Sequence, residues 1–221
     1  MLAAMVLGLA SCQNEPEGLD VVVGGEQEVM LNVSLPESTR GTSATGFDFK
    51  DFESNTKYDL RFILEIAHGG KTVRKVETTN TTSMTFPVRL APNRDYTFTV
   101  WADLVEEGKD VDLYYNTEDL KNITFKSWTP NIEARDAYTK TMTKTFVAGT
   151  DLSMELTRPF AKVRVVATDI KNILDFGIKP TNAIVEYKSD LYESFNAVEG
   201  CVNSTETEKK THSFNYEDVD T

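Results

Sequence analysis

From residue 27 onward, apolar and polar residues alternate along much of the chain. This period of two puts every second side chain on one face of a β-strand. Val29, Leu31, Val33 and Leu35 alternate with Met30, Asn32 and Ser34, and the run stops at Pro36. Leu60, Phe62, Leu64 and Ile66 repeat the pattern, and Gly69-Gly70 supplies a turn before Val73 and Val76. Met84, Phe86, Val88 and Leu90 follow, with Pro87 marking an edge or a bulge, since proline has no N–H to donate to a ladder. The turn Ala91-Pro92-Asn93-Arg94 leads into Tyr96, Phe98, Val100 and Ala102. Leu152, Met154 and Leu156 form a further alternating run, as do Ala161, Val163, Val165 and Ala167. Short strands separated by turn chemistry predict a β-sandwich with Leu31, Val33, Phe62, Leu64, Phe86, Val88, Phe98 and Val100 inward. Residues 104–150 are less regular: Leu113–Tyr115 and Ile123–Phe125 predict short strands, and Ile132–Tyr138 and Ile170–Phe176 predict helical turns.

The 221 residues suffice for one large domain or two small β domains, and 40% hydrophobic content supports a packed core. A formal net charge of -12 repels phosphate backbones and anionic headgroups, which argues against nucleic acid as a partner. The two cysteines, Cys12 and Cys201, exclude a disulfide framework and a site built on paired thiolates.

Residues 1–10 are almost wholly apolar. The stretch is too short to span a bilayer as a helix, which takes about 20 residues, and has the length of a signal-peptide core. It ends in Leu9-Ala10-Ser11-Cys12, which resembles a bacterial lipobox. That resemblance implies removal of residues 1–11, acylation of Cys12 and attachment to the lipid bilayer, at about 0.8 kcal/mol per buried methylene. Residues 12–27 then read as an acidic tether whose first residues resemble the surface-export signal of some anaerobic bacteria's lipoproteins.

Other chemistry-bearing residues give bland readings. Asp103, Glu106, Glu107, Asp110 and Asp112 form an acidic run without the Asx-x-Asx-x-Asx-Gly order of a calcium loop, and predict a solvated loop. Trp101 and Trp128 offer stacking surface for a sugar, but Trp101 lies on the strand face opposite Phe98 and Val100, where it would cover a second side of the sheet. His68 has no nucleophile or orienting acid to pair with and reads as a surface residue; Cys201 reads as a shielded free thiol. No catalytic site, metal or cofactor is expected.

Several segments, in order, resemble the fimbrillins, lipoprotein-derived pilins of anaerobic gut and oral bacteria. They are the lipobox, the tether, the strand Glu28–Leu35, the loop Ser38-Thr39-Arg40-Gly41-Thr42, residues 96–103, residues 156–163 and Tyr192–Asn196. The resemblance covers most of residues 12–200. It implies transthyretin-like Greek-key β-sandwiches: one over 28–157, and over 158–221 the start of a second β domain or its truncated remnant. It further implies an outer-membrane lipoprotein at the cell surface that is cut by a maturation protease between Arg40 and Gly41. The first strand, with Val29, Leu31, Val33 and Leu35, then leaves as a displaced edge strand, and a strand from another pilin subunit fills the groove. Removing a strand exposes unpaired backbone groups and an apolar groove that only another strand restores. The expected role is a fimbrial subunit or adhesin with a host or bacterial surface ligand. The alternative is a glycan-binding surface lipoprotein of a polysaccharide-uptake system.

Overall fold

The computed structural model describes residues 25–36, 57–127, 132, 134–161, 168, 170–178, 182–187, 191–206 and 211–215. The chain is mostly β. The strands are β1 (Gln27–Ser34), β2 (Tyr58–His68), β3 (Lys71–Thr79), β4 (Ser83–Leu90), β5 (Asp95–Glu106), β6 (Tyr115–Asn116), β7 (Ile123–Phe125), β8 (Ala137–Thr145) and β9 (Leu152–Glu155). After one short helix, α1 (Ile170–Asp175), come β10 (Asn182–Glu186), β11 (Leu191–Asn196), β12 (Cys201–Glu206) and β13 (Thr211–Asn215).

The middle of the molecule is the sheet β3-β2-β5-β8, antiparallel throughout. The β2–β3 hairpin closes on Gly69 and Gly70, both at positive φ (56° and 80°), a two-residue turn whose twist matches the flanking strands. On one face Phe62, Leu64, Phe98 and Val100 pack against Leu31, Val33, Phe86 and Val88 of a second sheet, β4-β1-β9. All eight residues that the alternation puts inward belong to this one core. On the other face Ile63, Trp101 and Ala137 pack against Tyr115, Ile123, Phe195 and Ala197. The last four come from a third sheet, β12-β11-β7-β6, and its connections. The middle sheet is therefore covered on both sides, and β2 and β5 carry apolar residues at consecutive positions for that reason. A separate pair, β10 and β13, forms an antiparallel ribbon.

Four expectations change. Tyr138, expected in a helical turn, lies in β8, where it pairs with Ala102 and is buried in the first core. Extended pairing along β5 outweighs any local helical preference there. The first strand was expected at an edge, but β1 is the central strand of its sheet, antiparallel to β4 and parallel to β9. Cys201 is exposed, not shielded, because it opens the outermost strand of the third sheet. Asp103 is no solvated loop residue but a buried member of β5. Pro87 does sit on an edge strand: among the described residues β4 pairs only with β1, and Lys75 Nζ donates to the Pro87 carbonyl. The helix read over Ile170–Phe176 is α1, which ends one residue earlier, at Asp175. Residues 162–167 of the expected Ala161–Ala167 strand lie outside the described residues.

Across the division read at residues 157 and 158, β11 pairs with β7, and Phe160 stacks on Tyr115 and on Tyr192 at centroid distances of 6.2 and 4.7 Å.

Candidate functional site

The seat of β1 is built by sequence alternation on three strands at once. Val29, Leu31, Val33 and Leu35 point into the first core and are at most 4% exposed. Their antiparallel neighbours are Val88, Phe86 and Met84 for the first three. On the other side Leu31 and Val33 lie in parallel register with Leu152 and Met154 of β9. β4 and β9 flank β1, which is engaged along its whole length by β4 and over Leu31–Ser34 by β9. The ladder runs past the strand's end: Leu35 N–H donates to the Thr82 carbonyl (3.0 Å), and Leu156 N–H donates to the Ser34 carbonyl (2.9 Å).

The outward face of the same sheet is polar and shallow. Asn32 Oδ1 accepts a hydrogen bond from Thr85 Oγ1 at 2.8 Å, which ties the β1–β4 register from the solvent side. A hollow of about 360 Å³ opens beside the C-terminal half of β1, lined by Asn32, Val33 and Ser34 with residues of β4 and β9. Met30, 39% exposed, is the one large apolar side chain of β1 on this face.

Taking β1 away would leave a slot roughly 10 Å wide between β4 and β9, two strand spacings. It would expose four apolar pockets worth roughly 1.5–3 kcal/mol each. The slot has a direction, since a replacement strand must run parallel to β9 and antiparallel to β4. Cys12, Arg40, Gly41 and Trp128 lie outside the described residues.

The acidic run is divided by the fold. Asp103 meets Arg61 of β2, a residue the alternation does not single out. Arg61 Nε donates to Asp103 Oδ1 (3.0 Å), and Nη2 donates to Asp103 Oδ2 (2.9 Å) and to Asp112 Oδ1 (2.8 Å). Burial alone would lower the Arg61 pKa, but the charges and hydrogen bonds of Asp103 and Asp112 outweigh it and raise it. At Asp103 burial is the larger effect and raises the carboxyl pKa against the pull of Arg61. Among the described residues the Trp101 indole N–H makes no hydrogen bond of good geometry, yet it lies near enough to Asp103 to favour the ionised carboxylate. Burial would raise Asp112, but hydrogen bonds from Thr117 and Arg61 dominate and lower it. Glu106 and Glu107 are exposed, and Glu106 pairs with Lys109. Among the described residues, no three His, Cys, Asp or Glu side chains are grouped to hold a metal ion.

Trp101 is fully buried and packs edge-on against Tyr115 at 5.2 Å, covering the second face of the middle sheet. His68, half-buried, donates from Nδ1 to the Asp95 carbonyl (2.8 Å) and lies 4.7 Å from the Tyr96 ring. Among the described residues, no helix is long and apolar enough to cross a membrane.

A family of unknown function (DUF6562) has a model that matches residues 20–219 of this chain. No curated protein and no solved structure matches it.

Proposed function

The chain belongs to the DUF6562 family, whose function is unknown, and from the seat of β1 we propose that it is a fimbrial subunit or fimbrillin-like adhesin assembled by strand replacement. In this reading Cys12 carries the lipid anchor at the outer surface of the cell. A maturation protease cuts after Arg40, and the segment bearing Val29, Leu31, Val33 and Leu35 gives way to a strand of another subunit. The two sheets facing each other across the first core would form a transthyretin-like sandwich, and residues beyond 158 would begin a second β domain.

One observation carries the reading: an N-terminal strand occupies the centre of its sheet, bonded on both edges, with its side chains filling the core. An edge strand can peel away and leave a shorter sheet. A central strand cannot leave without a substitute, because both neighbours would keep unpaired backbone groups over an apolar slot. Departure and replacement are thereby coupled, which suits a subunit that polymerises only when a donor is present.

The test is the mature N-terminus. Mass spectrometry of protein from surface fractions should find two species, one beginning at acylated Cys12 and one at Gly41. Protein that keeps an intact bond between Arg40 and Gly41 in assembled fibres would contradict the proposal.

A further inference from the structure

We propose that the cleft beside Arg61, on the β2–β3 side of the middle sheet, binds a neutral polyhydroxylated ligand of one or two saccharide units. The cleft has a volume of about 340 Å³ and lies between β2, β3 and residues 110–118. Small-ligand pockets start at about 300 Å³, so the size suits a small molecule and not a chain.

The polar groups are fixed before any ligand arrives. Arg61 is only 3% exposed, yet its hydrogen bonds engage Nε and Nη2 alone. Among the described residues its Nη1 has no hydrogen bond and stands 3.6 Å from Asp110 Oδ1, an ion pair too long to be one. Two N–H donors of a buried guanidinium thus remain available in a wall of the cleft. Arg74 is held by Glu65 Oε1 (2.8 Å) and by the carbonyls of Thr117 (2.7 Å) and Glu118 (3.2 Å). Ordering these two long side chains therefore adds little cost on binding. The carboxylates of Asp110 and Glu118 are exposed at the rim and accept. Val76, over the fully buried Ile63, gives the cleft an apolar part, and Val111, 64% exposed, forms a lip.

Charge selects the ligand class. Two guanidiniums face three carboxylates, Asp110, Asp112 and Glu118. An anion would meet the carboxylates and a cation would meet the guanidiniums, so either is opposed on one side. A neutral molecule that both donates and accepts can use both sets, while its C–H face covers Val76 and Val111. A sugar has this combination of vicinal hydroxyls and an apolar face. β1 contributes nothing to the cleft, so this site and strand replacement stand or fall separately.

The experiment is ligand-observed NMR on the full-length protein. The probes are glucose, galactose, mannose, N-acetylglucosamine, lactose and cellobiose, with glucuronate and glucosamine as charged counterparts. Asp110→Ala and Glu118→Ala change exposed residues, and unchanged thermal unfolding would establish that both variants fold. At least one neutral saccharide should bind saturably. Each variant should weaken it, Asp110→Ala by about tenfold, the effect of losing a hydrogen bond to a charged group. The charged counterpart should bind more weakly than its neutral parent. Absence of saturable binding by every neutral probe would overturn the proposal, as would tighter binding of a charged one or full affinity in both variants.

Discussion

Arg61 and Asp103 stand opposite each other in the β2–β5 register and meet through two side-by-side hydrogen bonds of 3.0 and 2.9 Å, both side chains buried. The pair sits on the second face of the middle sheet, where Asp103 is closed off from water and Arg61 reaches the cleft through Nη1 alone. Removing Arg61 leaves Asp103 buried and uncompensated, whereas removing Asp103 leaves Arg61 still paired with Asp112. Arg61→Ala should cost about 3–5 kcal/mol in urea unfolding, and Asp103→Ala less, because Asp112 still faces the guanidinium. The double replacement Arg61→Met with Asp103→Leu should cost far less than the sum. A double variant as unstable as that sum would mean that the two charges do not depend on each other.

Asp112 gives the account a pH signature. Its pKa is lowered from the ordinary 3.8, so its contribution to stability is present above that value and is lost as pH falls through the native pKa. Asp103, with a raised pKa, runs the other way: its contribution is full below 3.8 and is lost as pH rises through its native value. Comparing wild type with Asp112→Asn isolates the first effect. The stability difference should be constant from neutral pH down to about 4 and shrink below 3.8. A difference that grows on acidification would contradict the assignment.

Cys201 should react in the folded state. It is exposed, its sulfur lying 3.7 Å from the Glu199 carboxylate. In a Cys12→Ser variant, a chromogenic disulfide reagent should titrate one thiol per chain without denaturant. Reaction only after unfolding would show Cys201 to be shielded.

Within β1, neighbouring residues should behave oppositely. Leu31 is completely buried, and Leu31→Ala should destabilise by about 2–5 kcal/mol. Asn32 is exposed on the other face, and Asn32→Ala removes one hydrogen bond to Thr85, worth about 1 kcal/mol. Equal effects in urea titrations would mean that the strand's inward and outward faces are misassigned.

The first core was legible in the sequence because strand alternation is local: which side of β1, β2, β4 and β5 is apolar follows from each segment alone. β8 was missed for the same reason. In Ala137–Thr145, the positions in phase with buried Tyr138 are Lys140, Met142 and Lys144, so no apolar stripe marks the strand. The second core had a signal that alternation conceals. Ile63 and Trp101 interrupt the polar phase of β2 and β5, and continuous apolar runs imply cover on both faces. Arg61 with Asp103 was illegible, since their meeting depends on a register between strands 42 residues apart in sequence. The central position of β1 was equally hidden, because parallel pairing with β9 is set by the fold and leaves no local trace.

The most direct measurement of strand replacement uses the protein cut after Arg40 by trypsin and a fluorescent peptide of residues 27–35. The cut protein should keep its first strand until peptide is added, then exchange it, and bind the peptide in a defined complex. A peptide with Leu31 and Val33 both replaced by Asp should fail to enter, because two charges would face the apolar slot between β4 and β9. Uncut protein should exchange far more slowly. Cut protein that neither releases its first strand nor distinguishes the two peptides would contradict the account.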